Sequence, residues 1–261
     1  MTETTPPFAN ATSAAPPLRR SLGFLLQADF VVQLRNRRAL YISYVLPLLM
    51  LFALFAGRNL QIVNRTSRVA SCITVGMAAI AIVGYTMGVA RDREAGVFQR
   101  LRVTPTAPWA IMISRLAIQV LAMLSMAVVV LVAAAVFGHV TLQPAAYLLT
   151  LVVIVFCSAE FLSIGQAFVG LVKSVDTVNA LSRLLLPVVA VLGLFGHSNI
   201  LGTTFEMVAR WSPSGVVVSM LSGAMRPATW SSTTWLALLV SVGYCAVFAG
   251  IGIRWFQWTS R

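Results

Sequence analysis

Six long apolar segments constrain this chain more than any other feature of its sequence. A helix that crosses a membrane needs about 20 mostly apolar residues, and runs of this kind recur along the chain. Because a bilayer core offers no water to backbone polar groups, such runs fold as helices that bond within themselves. We therefore predict an all-α membrane protein with six transmembrane helices, at residues 40–57, 69–89, 110–137, 145–172, 184–195 with some extension, and 234–255.

The basic residues predict which side of the membrane each connection faces. Only 10% of the residues are charged and 59% are hydrophobic, which excludes an ordinary soluble domain. With the N-terminus inside, fourteen of the 19 Lys and Arg residues lie in inner segments and five in outer segments. Positive charge accumulates in cytoplasmic loops. Both termini are therefore predicted to be cytoplasmic.

Two segments precede the first predicted span. Residues 1–17 are rich in Thr, Pro and Ala and have no apolar core, so they are predicted to form a disordered cytoplasmic tail. Residues 18–38 combine arginines at both ends with an apolar i+4 ladder, which indicates an amphipathic helix on the inner membrane surface. The ladder consists of Leu22, Leu26, Phe30 and Leu34. The alternative is that this segment is the polar start of the first spanning helix.

The outer region at 198–230 is too apolar for a solvated loop. Ser212 and Pro213 interrupt two short apolar helical patterns there. We predict re-entrant helices before the last span, since irregular backbone at membrane depth is tolerated only where protein buries it or it lines a cavity. Two interfacial helices lying flat are the alternative. Residues 39–261 form one six-helix transmembrane domain in this prediction.

Several functional classes are disfavoured by motifs that the sequence lacks. No Gly-x4-Gly-Lys-Ser/Thr loop occurs, so the chain itself should not bind ATP. Neither a nucleophile elbow nor a His-Glu-x2-His pattern is present. The two histidines, His139 and His197, lie in separate segments, so no metal site is predicted. The net charge of +12 is explained by membrane topology rather than by nucleic acid, since no basic stripe with interleaved aromatics occurs.

Three residues within the predicted spans are candidate functional positions. Glu160 is the one acid well inside a span, and a buried ionisable group in a membrane is costly, so it is a candidate for the substrate path. A structural hydrogen bond to another helix, or a protonated acid, is an equal alternative. Gly84 and Gly88 share one face of the second span and permit close helix approach, either within the chain or at a subunit interface.

The segment 91–109 differs most from the rest of the chain. Six of its residues between Arg91 and Arg102 are charged. The second span is predicted to continue past Val89 into the cytoplasm, so that the first four of these charges lie at its end, where they have access to water.

A short amphipathic helix is predicted to follow. Val97, Phe98 and Leu101 lie on one face of it, and Pro105 ends it because proline removes a backbone donor. Pro108 suits the first turn of the next helix. The exposed apolar face needs membrane or a protein partner, which a purely topological loop would not.

This segment resembles the signature of ABC-2 type transporter permeases, in which a basic-x-basic-Glu-x-Gly run precedes Leu, Thr-Pro, a second proline and a basic residue. The matching residues are Arg91, Arg93, Glu94, Gly96, Leu101, Thr104, Pro105, Pro108 and Arg115. The start of the first span with Pro47 and the region around Pro213 are also similar to the family. Among its members the chain looks most like the daunorubicin-type drug-resistance exporters. Phe98 and Gln99 depart from the family pattern, in which a second acid is common.

The resemblance implies the membrane subunit of an ATP-driven exporter and not an enzyme. A separate ABC ATPase dimer would bind ATP and Mg²⁺, and no cofactor would bind this chain directly. Two copies of the permease, or two related permeases, would form the path in the bacterial plasma membrane. The spans hold few charged groups, so we expect a hydrophobic or amphiphilic substrate: a drug, an antibiotic or a lipid-like molecule.

The resemblance also implies that the loop between the second and third spans is a coupling helix in a cleft of the ATPase, flanked by the N-terminal helix. The residues expected at this contact are Arg91, Arg93, Glu94, Gly96, Val97, Phe98, Leu101 and Arg102. Two other functions stay open. One is a secondary transporter or channel without an ATPase, and the other is a membrane scaffold whose basic loop binds anionic lipid.

Overall fold

The structure is a computed structural model that describes residues 18–35, 37–57, 64–97, 108–172, 174–196 and 202–255. The described residues form α-helices joined by short connections, without a β-strand. The helices are α1 (Leu18–Arg35), α2 (Arg37–Ala56), α3 (Arg65–Glu94), α4 (Pro108–Phe137), α5 (Pro144–Leu171), α6 (Val175–Phe195), α7 (Thr203–Trp211), α8 (Pro213–Met225) and α9 (Ser232–Trp255).

The predicted spans correspond to long apolar helices. Within the described residues, α3, α4, α5, α6 and α9 are each long and apolar enough to cross a membrane. Helices α1 and α2 are bent by 62° at their junction and count as a sixth span when taken as one broken helix. The prediction of an all-α membrane protein is therefore confirmed, and the described helices supply five of the six predicted spans, or six when α1 and α2 are one broken span.

The fifth span is longer than the apolar run at 184–195 suggested. Helix α6 begins at Val175, where the Ser174 hydroxyl accepts a hydrogen bond from the backbone N–H of Thr177 at 3.1 Å. An N-cap of this kind satisfies one of the free donors of the first turn. The first turns also contain Asp176 and Arg183, and these charges hide the start of the helix from an apolar pattern.

Helix α3 lies at the centre of the bundle and packs against α2, α4, α6 and α8. Its middle section, Ala79–Tyr85, is π-helical. The Ile82 carbonyl in this section accepts hydrogen bonds from the hydroxyl of Thr86 and, at 2.8 Å, from that of Ser182 on α6. A Cβ at Gly165 of α5 would lie only 3.0 Å from the Ala81 carbonyl oxygen. Glycine at this position therefore lets α5 pack directly on the π-helical backbone.

The predicted break between two short helices before the last span is confirmed. Helix α7 ends at Trp211 and α8 begins at Pro213, with the Ser212 hydroxyl accepting a hydrogen bond from Gly215 N–H at 3.2 Å. Helix α8 is enclosed by α3, α5, α6 and α9, and Val216, Val217 and Val218 are fully buried. This burial favours the re-entrant arrangement over helices that lie flat on the surface.

The N-terminal helix α1 packs on the first half of α4. The carboxylate of Asp29 accepts a hydrogen bond from the Ser114 hydroxyl, and Gln33 Oε1 accepts one from Gln119 Nε2 at 3.3 Å. The ladder residues Leu26, Phe30 and Leu34 are exposed on the other side, whereas the side chain of Leu22 lies outside the described residues.

Helix α1 ends at Arg35, three positions before the predicted end at 38. The bend of 62° at this junction fits both the predicted surface helix and the alternative, in which α1 is the start of a broken first span. Its contact with a membrane surface stays a prediction, and the predicted tail at 1–17 lies outside the described residues.

Candidate functional site

The candidate site lies where α3 and α5 end and where α4 and α6 begin, which we call the Glu94 end of the bundle. The opposite end, where α3 begins, is called the Arg65 end. Helix α3 continues past Val89 to Glu94, and Pro108 is the first residue of α4, as the sequence predicted. The predicted contact residues Phe98, Leu101 and Arg102 lie outside the described residues.

Arg93 is buried at the end of α5. Its side chain is 5% exposed, and the guanidinium donates hydrogen bonds to the carbonyl of Val169 at 3.0 Å and that of Val172 at 2.8 Å. The last carbonyls of a helix have no donors within that helix, and a cation there also complements the helix dipole. Arg93 therefore caps α5 and points into the bundle rather than toward solvent.

Glu94 caps the opposite kind of helix end, the N-terminus of α6. Its Oε1 accepts a hydrogen bond from the backbone N–H of Val175 at 3.0 Å, and Val175 is the first residue of that helix. A carboxylate is favourable beside the free N–H groups of a helix N-terminus. Two adjacent residues of α3 thus hold the connection between α5 and α6 from both sides.

Asp92 joins the same end of α3 to α4. Its carboxylate forms an ion pair with Arg115 at 2.5 Å, and both side chains are mostly buried, with exposures of 34% and 17%. The neighbouring Ser114 bonds Asp29 of α1. The predicted N-terminal helix is therefore linked to the ion pair through one residue of α4.

The side chains of the four consecutive charged residues at 91–94 point in four different directions. Each step along an α-helix turns a side chain by about 100°. Asp92 accordingly faces α4, Arg93 faces α5 and Glu94 faces α6, whereas Arg91 is exposed.

Gly96 ends α3 with a sharp turn that the sequence pattern did not predict. Its φ of 67° lies in the left-handed region, and its N–H donates to the Arg93 carbonyl at 3.1 Å. Glycine adopts this conformation without the steric penalty of a Cβ atom. Val97, which follows, is half-buried and is the one residue of the predicted apolar face that lies within the described residues.

Glu160 lies between two spans. It is completely buried on α5, and one carboxylate oxygen accepts a hydrogen bond from the Ser241 hydroxyl of α9. Its Oε1 has no hydrogen-bond partner among the described residues. The bond to Ser241 matches the structural alternative that the sequence left open, and a role in the substrate path stays a prediction.

Gly84 and Gly88 do not bring two helices of this chain together. A Cβ at Gly88 would meet nothing within 4 Å, and one at Gly84 would meet only a carbonyl of its own helix at 3.9 Å. Both line a small cavity of about 80 Å³ that is also bordered by Asp29 and Arg115. The described residues show no close contact with another helix at this pair, and its role in helix packing or at a subunit interface stays a prediction.

A larger apolar groove was not predicted from the sequence. It has a volume of about 710 Å³ and lies between α4, α5 and α9, with Leu116, Leu162 and Ile253 among its lining residues. Ser163 and Gln166 are its polar side chains, and Gln166 accepts a hydrogen bond from the Tyr85 hydroxyl of α3. Polar residues near the Glu94 end of an otherwise apolar span were the sequence signal for this groove.

A metal centre is not indicated in the described part of the chain, where no group of three His, Cys, Asp or Glu residues could hold an ion. The hydrogen bond between Asp29 of α1 and Ser114 of α4, next to the ion pair of Asp92 and Arg115, was also missed from the sequence. Asp29 is the one acid in 18–35, and this was the available signal.

Comparison with known proteins adds the family. A model of the ABC-2 type transporter matches residues 20–226, which extend from α1 to the end of α8. No curated protein matches the sequence. Permeases of this family are the membrane components of ABC transporters and work with an ABC ATPase. The match covers most of the chain, and the protein therefore belongs to the ABC-2 type transporter family.

Proposed function

We propose that this chain is the permease subunit of an ABC exporter, and that segment 91–109 receives the movement of a separate ATPase dimer. The observation that carries this proposal is the set of bonds from the end of α3 to three other helices, made by Asp92, Arg93 and Glu94. A displacement of the segment would act on α4, α5 and α6 together, because their ends are bonded to the same turn of α3.

This arrangement divides the predicted contact residues into two groups. Arg93 and Glu94 are positioning residues, since their polar atoms are engaged by α5 and α6. Exposed Arg91 and the apolar face that begins at Val97, continued by Phe98 and Leu101, supply the surface for the ATPase. Gly96 sets the direction of that surface relative to α3.

The substrate we propose is hydrophobic or amphiphilic. The groove between α4, α5 and α9 supports this, since aliphatic side chains line it apart from Ser163 and Gln166. Ligand sites for such molecules are mostly apolar with a few placed polar groups. The resemblance to daunorubicin-type exporters points to the same class.

A second permease copy, or a related permease, completes the proposed path. In α6, only 17% of its most apolar stretch of 18 residues is buried, and the fraction is the same in α9. Both helices therefore have surface left for lipid or a partner subunit. In this proposal both termini and the Glu94 end face the cytoplasm of a bacterial cell, and ATP and Mg²⁺ bind the ATPase alone.

The test is ATP-driven uptake of daunorubicin, a fluorescent amphiphile, into inside-out vesicles that contain the permease and its ATPase. We expect Glu94→Gln to insert normally and to retain the ATPase, but to lower uptake per ATP hydrolysed roughly fivefold, because a charge-assisted bond to α6 is lost. Glu206→Gln on α7 removes a carboxylate far from this site and is the matched control.

Two results would contradict the proposal. Wild-type uptake under an ion gradient without an ATPase would identify a secondary transporter or channel. Equal uptake by Glu94→Gln and the control would show that the bond between Glu94 and α6 does not contribute to coupling.

A further inference from the structure

A second polar cavity lies at the Arg65 end, remote from the proposed coupling segment. Its volume is about 650 Å³, within the range of small-molecule sites. Three segments border it: the start of α3, the connection between α4 and α5, and the residues that follow α8. Nothing in the proposed coupling mechanism uses this cavity.

The charged side chains that line the cavity are cationic. Arg65 and Arg226 reach it from different segments, and neither has an ion pair within the described part of the chain. The sequence places no Asp or Glu in 57–78, 134–150 or 213–231, which include all three bordering segments. The charged side chains that line the cavity therefore carry a net positive charge, and no carboxylate in these segments neutralises it.

The start of α3 adds neutral donors. The N–H groups of Arg65 and Thr66 precede the first intrahelical bond, from Arg68 N–H to the Asn64 carbonyl at 3.0 Å, and Asn64 makes no side-chain cap. Free N–H groups at a helix N-terminus form a site suited to anions.

Thr66 gives a second, independent indication of a ligand. Its side chain is only 9% exposed yet lines the cavity, and its hydroxyl has no hydrogen-bond partner among the described residues. The hydroxyl oxygen is not one of the fully buried unpaired atoms among the described residues, so it is accessible from the cavity and can donate to an acceptor within it.

His139 also lines the cavity, in a conformation that favours glycine. Its φ is 49°, and the following Val140 N–H donates to the Ala134 carbonyl at 3.1 Å, which completes the C-terminal turn of α4. Glycine would hold this turn with less steric strain. His139 therefore lines the same cavity as the two arginines in a conformation that carries a steric cost.

We propose that this cavity binds a phosphate ester, with Arg65, Arg226 and Thr66 as donors to the phosphate oxygens. Arginine pairs with phosphate through two parallel hydrogen bonds, and the helix start adds backbone donors. The volume exceeds that of a bare ion and leaves room for an organic group on the ester. The source is either the headgroup of an anionic phospholipid or a soluble phosphate ester.

The experiment measures thermal unfolding of the full chain in nanodiscs. One arm compares phosphatidylcholine discs with discs that also contain phosphatidylglycerol. The other arm adds glycerol phosphate to phosphatidylcholine discs. We expect a higher Tm in at least one arm, and a Tm increase with phosphatidylglycerol alone identifies a lipid headgroup as the ligand.

The variants test the assigned residues. Combined Arg65→Gln and Arg226→Gln should weaken the apparent affinity for the effective probe at least roughly tenfold, because two charge-assisted bonds are lost. Thr66→Val keeps the shape of the side chain and should weaken it severalfold. Arg254→Gln removes an exposed arginine at the Glu94 end and should leave the Tm increase unchanged. No Tm increase in either arm, or an increase that the double variant retains, would overturn the proposal.

Discussion

The carboxylate of Glu94 accepts a hydrogen bond at 3.0 Å from the backbone N–H of Val175, which lies 81 positions later in the chain. The preceding residue, Arg93, donates to two carbonyls at the end of α5. The cation lies at a helix C-terminus and the anion at a helix N-terminus, which are the signs that the helix dipole favours. One dipeptide therefore stabilises both sides of a connection between two spans.

Replacement of Glu94 by alanine should loosen the start of α6. A cap interaction contributes about 1 kcal/mol, so we expect the amides of the first turn to exchange hydrogen about fivefold faster. Hydrogen–deuterium exchange on peptides that begin at Ser174 measures this. Glu206→Ala removes an acid from α7, away from this turn, and serves as the control, and identical exchange in the two variants would refute the assigned bond.

Arg93 should matter for stability more than its exposed neighbour does. Arg93→Met leaves two carbonyls without donors in a buried place, and we expect the free energy of unfolding to fall by about 2 kcal/mol. Arg93→Lys should restore part of this loss because the ammonium group still donates. The comparison is Arg91→Met, expected within about 0.5 kcal/mol of wild type. Unfolding in mixed micelles gives these values, and equal losses at the two positions would argue against the cap.

The ion pair of Asp92 and Arg115 should show energetic coupling in a double-mutant cycle. Both groups keep some contact with solvent, which screens their attraction, so we expect a coupling energy of about 1 kcal/mol. The cycle consists of Asp92→Asn, Arg115→Gln and the double variant. Additive losses in unfolding free energy would mean that the two side chains do not interact in the membrane.

Gly96→Ala should destabilise the turn that ends α3. A Cβ atom at a φ of 67° costs about 1 kcal/mol, whereas asparagine tolerates this region better. We therefore expect Gly96→Ala to reduce ATP-driven uptake while Gly96→Asn keeps most of it. Uptake assays with matched expression levels distinguish the two, and full activity of Gly96→Ala would show that the turn does not set the coupling surface.

Glu160 and Ser241 should act as a structural pair. Ser241→Ala leaves the buried carboxylate without its donor and should lower the free energy of unfolding by about 1 to 3 kcal/mol. Glu160→Gln keeps the size of the side chain and an acceptor for Ser241, so we expect normal stability and uptake. Loss of uptake in Glu160→Gln at normal stability would instead place Glu160 on the substrate path.

The helices themselves were predictable because their signals are local. Each long apolar run lies within one helix, and Pro108 and Pro213 begin helices where proline lacks only a donor that the first turn does not use. The extent of α6 was less accessible, since Asp176 and Arg183 interrupt the apolar pattern while the Ser174 cap still starts the helix.

The charged segment was recognisable as a site, but its internal geometry was not. Four successive charges at the end of a span suggested contacts with water and a partner. The same sequence pattern also fits charges that bond other helices of the chain. Arg93 instead bonds residues 76 and 79 positions away, so its orientation depends on which helix end lies beside α3. Gly84 and Gly88 show the same limit, because a small-residue face predicts close packing only where another helix is present.

Composition and periodicity were sufficient to establish that this chain is a helical membrane protein with charge concentrated at one end of its second span. The neighbours of each helix were settled by the packing of the whole chain, as the burial of α8 and the bond between Glu160 and Ser241 illustrate. The physical reason is that lipid tails are as apolar as the protein interior. The sequence of an apolar helix face therefore does not show whether that face contacts lipid or another helix. The polar contacts between helices depend on which of the two it contacts.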